Sequence, residues 1–171
     1  MKALVVYYSM GGNTEYAARK IAQRTGAELL RLEPEKAYPD RGLKKFLWGG
    51  KSAVMAEKPR LKPYRFEPGG YDLVVFGFPV WAGNVTPPVR TFLSENDPGA
   101  GLYAAFACQS GSGAEKAFGK LKACLGHELA RTLVLNDPKD RPDPEKDAQI
   151  EAFCGALEQV MEAFYRHAGR G

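Results

Sequence analysis

Apolar residues along this chain follow two rhythms that take turns. Short apolar runs occupy 2–8 (Lys2-Ala3-Leu4-Val5-Val6-Tyr7-Tyr8), 27–32, 72–78, 101–108 and 129–135. Their length and their β-branched and aromatic content read as strands. Between them the spacing becomes helical: Ala17, Ala18, Ile21 and Ala22, then Val89, Phe92 and Leu93, then Phe118, Leu121 and Leu125, and last Ile150, Phe153, Leu157, Val160 and Phe164. The first of these helices is expected over about 14–25, with Asn13 or Thr14 as N-cap and Gly26 as its stop. Thr86 offers an N-cap for the second, with Pro87 at the first helical position, where a missing N–H costs nothing. Ser112 and Glu115 have capping-box spacing for the third, which should end at Gly126. The run 72–78 is apolar throughout, as expected of a central strand in a parallel sheet. Five strands alternating with helices predict an α/β fold with a parallel sheet.

One connection breaks the rhythm. Residues 34–70 separate the second strand from the third, too long for a structureless loop inside a compact domain. Phe46, Leu47, Ala53, Val54 and Met55 suggest a helical piece near 43–57, with the Pro-rich stretch 59–68 extended after it. Gly49-Gly50-Lys51-Ser52 ends like a nucleoside-triphosphate loop. That motif requires a glycine where Lys45 stands, and a strand before it, so the reading fails. A kinked helix with a solvated basic face is the simpler account.

Composition narrows the picture. A chain of 171 residues suits one domain over 1–171 with a sizeable core. No run of about eighteen apolar residues exists to cross a membrane, and no signal-peptide layout precedes the first strand. Three cysteines, Cys108, Cys124 and Cys154, are widely spaced, with only His127 and His167 to join them. This gives no metal-ligand pairing and points to a reducing cytoplasm. The net charge of +4 is unevenly placed: residues 36–65 hold nine Lys and Arg against Asp40 and Glu57, a balance of +7. The remainder carries 15 basic and 18 acidic residues, or −3. No nucleic-acid motif accompanies the basic stretch. It reads as a docking surface for an acidic protein or an anionic substrate.

The candidate chemistry lies in the turns that follow the first, third and fourth strands. Ser9-Met10-Gly11-Gly12-Asn13-Thr14 joins a strand to a helix start, whose unpaired N–H groups and dipole favour an anion. Gly11 and Gly12 let the backbone close on a ligand, while Ser9, Asn13 and Thr14 add hydroxyl and amide donors. A capped helix after a tight turn accounts for the same residues. This turn resembles the phosphate loop of the flavodoxin family: a hydroxyl residue, any residue, a hydroxyl residue, then Gly-Asn-Thr. Ser9, Gly12, Asn13 and Thr14 match, and Gly11 departs from the pattern by removing one side-chain donor.

The resemblance covers nearly the whole chain. It implies a flavodoxin-like, doubly wound five-stranded sheet of order 2-1-3-4-5, with helices on both faces and an insertion at about 34–70. It also implies FMN as cofactor, with the phosphate on residues 9–14. Pro79-Val80-Trp81-Ala82-Gly83-Asn84, followed by Pro87-Pro88, resembles the family's flavin-ring loop. Trp81 would stack on the isoalloxazine, Gly83 would present backbone to flavin N5, and Asn84 would add a polar contact. Cys108, Gln109, Ser110, Gly111 and Gly113 match the second ring loop in place and glycine content, without the aromatic residue often found there. Cys108 reads either as a redox thiol or as a small buried hydrophobe.

Three functions follow from these residues. One is an electron carrier between redox partner proteins. Another is a small FMN-dependent NAD(P)H:quinone-type oxidoreductase, acting on a quinone or anionic acceptor. The third is a non-redox domain that binds a phosphate ligand. Gly111-Ser112-Gly113 lacks the later glycine and the acidic partner of a dinucleotide site, which favours the carrier. No nucleic acid and no membrane insertion are expected, and the state is a monomer or homodimer.

Overall fold

Strand β1 (Ala3–Tyr7) leads through helix α1 (Asn13–Thr25) to β2 (Glu28–Arg31). After the insertion come β3 (Leu73–Pro79), α2 (Pro87–Glu95), β4 (Leu102–Gln109), α3 (Ala114–Leu125), β5 (Arg131–Asn136) and α4 (Pro144–Ala168). A computed structural model of the protein describes residues 2–38, 57–99 and 101–168. The helix expected near 43–57 falls outside them but for Glu57, as do Gly49-Gly50-Lys51-Ser52 and the lysines 44, 45 and 51.

The five strands form one parallel sheet in the order β2-β1-β3-β4-β5. Successive residues of a strand point to opposite faces, and the continuous apolar runs therefore feed two cores. Leu4, Val6, Val74, Phe76, Phe78, Tyr103 and Ala105 pack against Val89 and Phe92 of α2 and Ala117, Phe118 and Leu121 of α3. Val5, Tyr7, Leu73, Val75, Ala104 and Phe106 pack against Ala18 and Ile21 of α1 and Ile150, Phe153 and Leu157 of α4. Both faces of the sheet are thus covered, as a parallel sheet requires. The central strands β3 and β4 are buried almost end to end, whereas the edge strand β2 leaves Leu29 exposed. Gly77 faces Phe106 in the β3–β4 register. A Cβ there would lie 2.2 Å from the Phe106 ring, so the strand needs a glycine beneath that aromatic.

Helix starts differ from expectation. Helix α1 has Gly12 as its N-cap, at φ 92°, with Asn13 already helical and Thr14 buried. Helix α3 begins after Gly113 at φ 111°, and the Ser112–Glu115 capping box does not form. Its first N–H donates instead to Gln109 Oε1 at 3.1 Å. Thr86 does stand before Pro87, but its buried hydroxyl caps nothing. In both glycine cases the chain re-enters the helix from a left-handed residue. The loop can then stay close to the strand end, which a β-region Ser or Asn cap would not permit.

The ends of the insertion return to the body. Pro34 and Leu61 form an antiparallel bridge, with Glu35 N–H donating to Arg60 O at 2.9 Å and Lys62 N–H to Glu33 O at 2.7 Å. Tyr38, Leu61, Tyr64 and Phe66 pack on the first core. Lys36, Lys58, Arg60 and Arg65 of the basic stretch are exposed, while Lys62 pairs with Glu33 at 2.8 Å. None of the three cysteines forms a disulfide.

Candidate functional site

Helices α1 and α4 cover one face of the sheet, and α2 and α3 the other. The chain leaves β1 and β3 towards opposite faces, which opens a crevice at their C-terminal ends, the usual ligand position in such sheets. A cavity of about 360 Å³ lies there, within the usual range of about 300–1,000 Å³ for small-ligand sites. Its wall consists of Ser9, Met10, Gly11, Asn13, Thr14, Pro79, Val80, Trp81, Ala82, Cys108, Gln109, Ser110 and Gly111, joined by Ser112 and Asp137. The expected site residues Gly12, Gly83, Asn84 and Gly113 do not line it. Ser112, expected in a helix cap, faces the cavity instead, and Asp137 enters it from just past the C-terminal end of β5.

At the β1–α1 turn the Ser9 hydroxyl accepts hydrogen bonds from Gly12 N–H and Glu15 N–H, each at 3.2 Å. Its own proton remains free to donate. Among the described residues, no protein acceptor pairs with the backbone N–H of Gly11, Asn13 or Thr14. Asn13 and Thr14 carry the first donors of the helix and Gly11 lies just before it; all three border the cavity and need an acceptor. An anion satisfies them together, so the turn fits a phosphate.

Asn13 does not serve the cavity as expected. Its Oδ1 accepts from Lys139 N–H at 2.8 Å and Asp140 N–H at 3.2 Å, and its Nδ2 donates to Asp140 Oδ2 at 2.8 Å. The amide therefore clamps the β5–α4 loop onto the start of α1. That clamp brings Lys139 Nζ to 3.2 Å from Gly11 O. A side chain at Gly12 would strike the same ammonium at 2.8 Å. A lysine from a distant loop therefore rests on a turn whose own side-chain donors are uncharged.

Cys108 is buried beside Thr14, and burial pushes its thiol up to about 12. Burial of this kind favours the protonated thiol over the thiolate. Asp137, held at φ 45°, accepts the Ser110 hydroxyl at 2.6 Å, and its N–H donates to Gln109 O at 3.1 Å. This places one carboxylate in the middle of the cavity wall.

On the far side, Trp81 is only 9% exposed. Tyr8 and Tyr38 meet it nearly perpendicular, with centroids at 5.8 and 5.3 Å. Tyr8 lies at the end of β1 and Tyr38 in the insertion, so both segments fix the indole plane. Burial raises the Tyr8 phenol well above its ordinary value, which keeps it neutral. The turn after Trp81 uses two successive left-handed residues, Ala82 at φ 49° and Gly83 at φ 65°. Asn84 closes that turn: its N–H donates to Trp81 O at 2.9 Å, its Nδ2 to Ala82 O at 2.9 Å, and its Oδ1 accepts from Lys120. Asn84 thus shapes the loop and does not line the cavity. Val80 N–H donates to Cys108 O at 2.8 Å, tying this loop to the one after β4.

An anion-accepting helix start and an aromatic wall on neighbouring strand ends define a doubly wound α/β domain suited to a phosphorylated aromatic ligand. Residues 2–145 match the family model described as Flavodoxin, and the chain belongs to the flavodoxin family. The fold is similar to a flavoprotein from Lactobacillus acidophilus NCFM solved in complex with FMN. That likeness has a TM-score of 0.70 at 21% identity, over 89% of this chain and 97% of that one. It is also similar to oxidised Flavodoxin 2 from Bacillus cereus, with a TM-score of 0.60 at 17% identity over 94% and 99% of the two chains. The flavodoxin of Streptococcus pneumoniae TIGR4 gives 0.54 at 16%, over 94% and 99%. No helix among the described residues is long and apolar enough to cross a membrane.

Proposed function

We propose that the protein binds FMN and carries electrons between redox partners. The observation behind this reading is the single cavity that joins the unpaired N–H groups of Gly11, Asn13 and Thr14 to the indole of Trp81. When bound, FMN supplies a ring that accepts and releases electrons. Gly11, Asn13, Thr14 and the Ser9 hydroxyl hold the phosphate. Ser110 and Asp137 offer a hydroxyl and an acceptor to the ribityl chain. Pro79, Val80 and Trp81 form an apolar wall for the ring and exclude water from one face.

The chain carries one phosphate turn and no dinucleotide fingerprint, which favours delivery of electrons by a protein. The basic stretch 36–65 suits an acidic protein partner, whose encounter rate falls as salt rises. One observation favours direct hydride transfer to a quinone-type acceptor: residues 110–113 place no aromatic over the cavity. Anaerobic reduction separates the readings. The purified protein should be yellow with one FMN per chain. NAD(P)H alone should leave the colour, and NAD(P)H with a ferredoxin reductase should bleach it at a rate that falls with added salt. Rapid bleaching by NAD(P)H alone would replace the carrier with the reductase. A protein that fails to take up FMN would overturn both.

A further inference from the structure

The turn lacks a side-chain donor at Gly11, and the clamp built by Asn13 sets a lysine beside that position. The Lys139 backbone is fixed at 2.8 Å from Asn13 Oδ1, so the start of its side chain cannot drift from α1. Its ammonium lies 3.2 Å from Gly11 O and 4.0 Å from Asp140 Oδ1, on a side chain about half exposed. The Gly11 carbonyl is a neutral acceptor, and the aspartate is a distant partner already held by Asn13 Nδ2. Neither neutralises the lysine, and a phosphate on the N–H groups of the same turn would be a stronger partner than either. The flexible stem of a lysine lets its ammonium turn from the Gly11 carbonyl to a ligand on the same turn. The nearest other charge on α1, Glu15, is turned away to Arg19 and Arg31, each at 2.7 Å, and does not compete for the ammonium.

We infer that Lys139 is the cationic partner of the ligand's phosphate, recruited from the β5–α4 loop to replace the hydroxyl missing at Gly11. This rests on the proposed FMN site and adds a specificity to it: the site prefers a terminal phosphate dianion to the uncharged riboflavin. Gly12 suits the same arrangement through its left-handed backbone at φ 92°, which a residue with a Cβ adopts only under strain.

The test is FMN and riboflavin titration of the flavin-free protein, followed by flavin fluorescence at low and high salt. Lys139→Gln keeps a donor for Gly11 O and removes the charge, while Lys139→Arg keeps both. The glutamine variant should bind FMN roughly tenfold more weakly at low salt, on the scale of one charge-assisted contact. Its riboflavin affinity should match the parent, its FMN affinity should depend less on salt, and the arginine variant should restore FMN binding. The inference is overturned if Lys139→Gln binds FMN as the parent does. It is overturned too if FMN and riboflavin weaken equally, since the lysine would then only shape the loop. A parent protein that binds neither flavin removes the site itself, a result distinct from both.

Discussion

At the β1–α1 turn the cavity is walled by backbone and short polar groups, held by hydrogen bonds from residues 139 and 140. At the β3–α2 loop it is walled by an indole, held by the edges of two tyrosines. The first end is directional and charged, and each of its parts has a specific partner. The second is built from apolar area and shape, and its partners come from β1 and from the insertion. Disturbing the polar end should alter what the cavity recognises while leaving the fold in place. Disturbing the aromatic end should cost the fold as well as the ligand.

The largest expected effect lies at the aromatic end. Trp81→Ala removes a nearly buried indole and leaves Tyr8 and Tyr38 facing a void, which should destabilise the protein by about 3 kcal/mol. Urea unfolding measures this loss, and bound flavin should recover part of its quenched fluorescence. A variant with parental stability and parental quenching would make the aromatic end no different from ordinary surface.

Next in size is Asn13→Ala combined with Thr14→Ala. The first releases the β5–α4 loop and Lys139, and the second removes a buried hydroxyl from the cavity wall. FMN binding should weaken by roughly 1–3 kcal/mol, the scale of lost hydrogen bonds to a charged group. Unfolding should shift less than for Trp81→Ala. Equal FMN affinity in parent and double variant would show that neither the Asn13 clamp nor the Thr14 hydroxyl contributes to holding the phosphate.

The smallest effect concerns pH. Hydrogen bonding from Arg19, opposed by burial and aided by Arg31, holds the Glu15 carboxyl below its ordinary value of 4.5. Lys20 and then Tyr16 hold Asp147 below 3.8. Both folded values are depressed, so the stabilisation is complete above the ordinary carboxylate range and is lost as pH falls through the depressed values. These pairs are exposed and screened, and each is worth at most about 1 kcal/mol. Glu15→Gln should therefore be slightly less stable than the parent at pH 7, with the gap closing as pH falls through the depressed Glu15 value. A gap that persists in acid would show that the glutamate acts through packing.

The strand–helix alternation was legible in the sequence, because apolar period depends on local geometry alone. So was the turn with donors for an anion: Gly12-Asn13-Thr14 between an apolar run and a helical spacing is a local signal. Individual roles were less legible. Asn13 looks like a donor to a ligand, yet its amide is consumed by backbone more than a hundred residues away. Asn84 looks like a ligand contact and instead closes a turn of two left-handed residues. The Ser112–Glu115 spacing matches a capping box, but the left-handed Gly113 carries the chain into α3 by another path.

What the sequence determined by itself, then, is the set of elements, the glycines at which they turn, and the turn with donors for an anion. These depend on neighbours a few residues apart, through side-chain period and backbone handedness. Tertiary structure decided which side chains share the cavity and which are diverted to hold it. Lys139 reaches Gly11, and Tyr38 reaches Trp81, only because the sheet brings the ends of β1, β3, β4 and β5 together on one side. A contact of that kind has no period along the chain, and it exists only once the strands are in register.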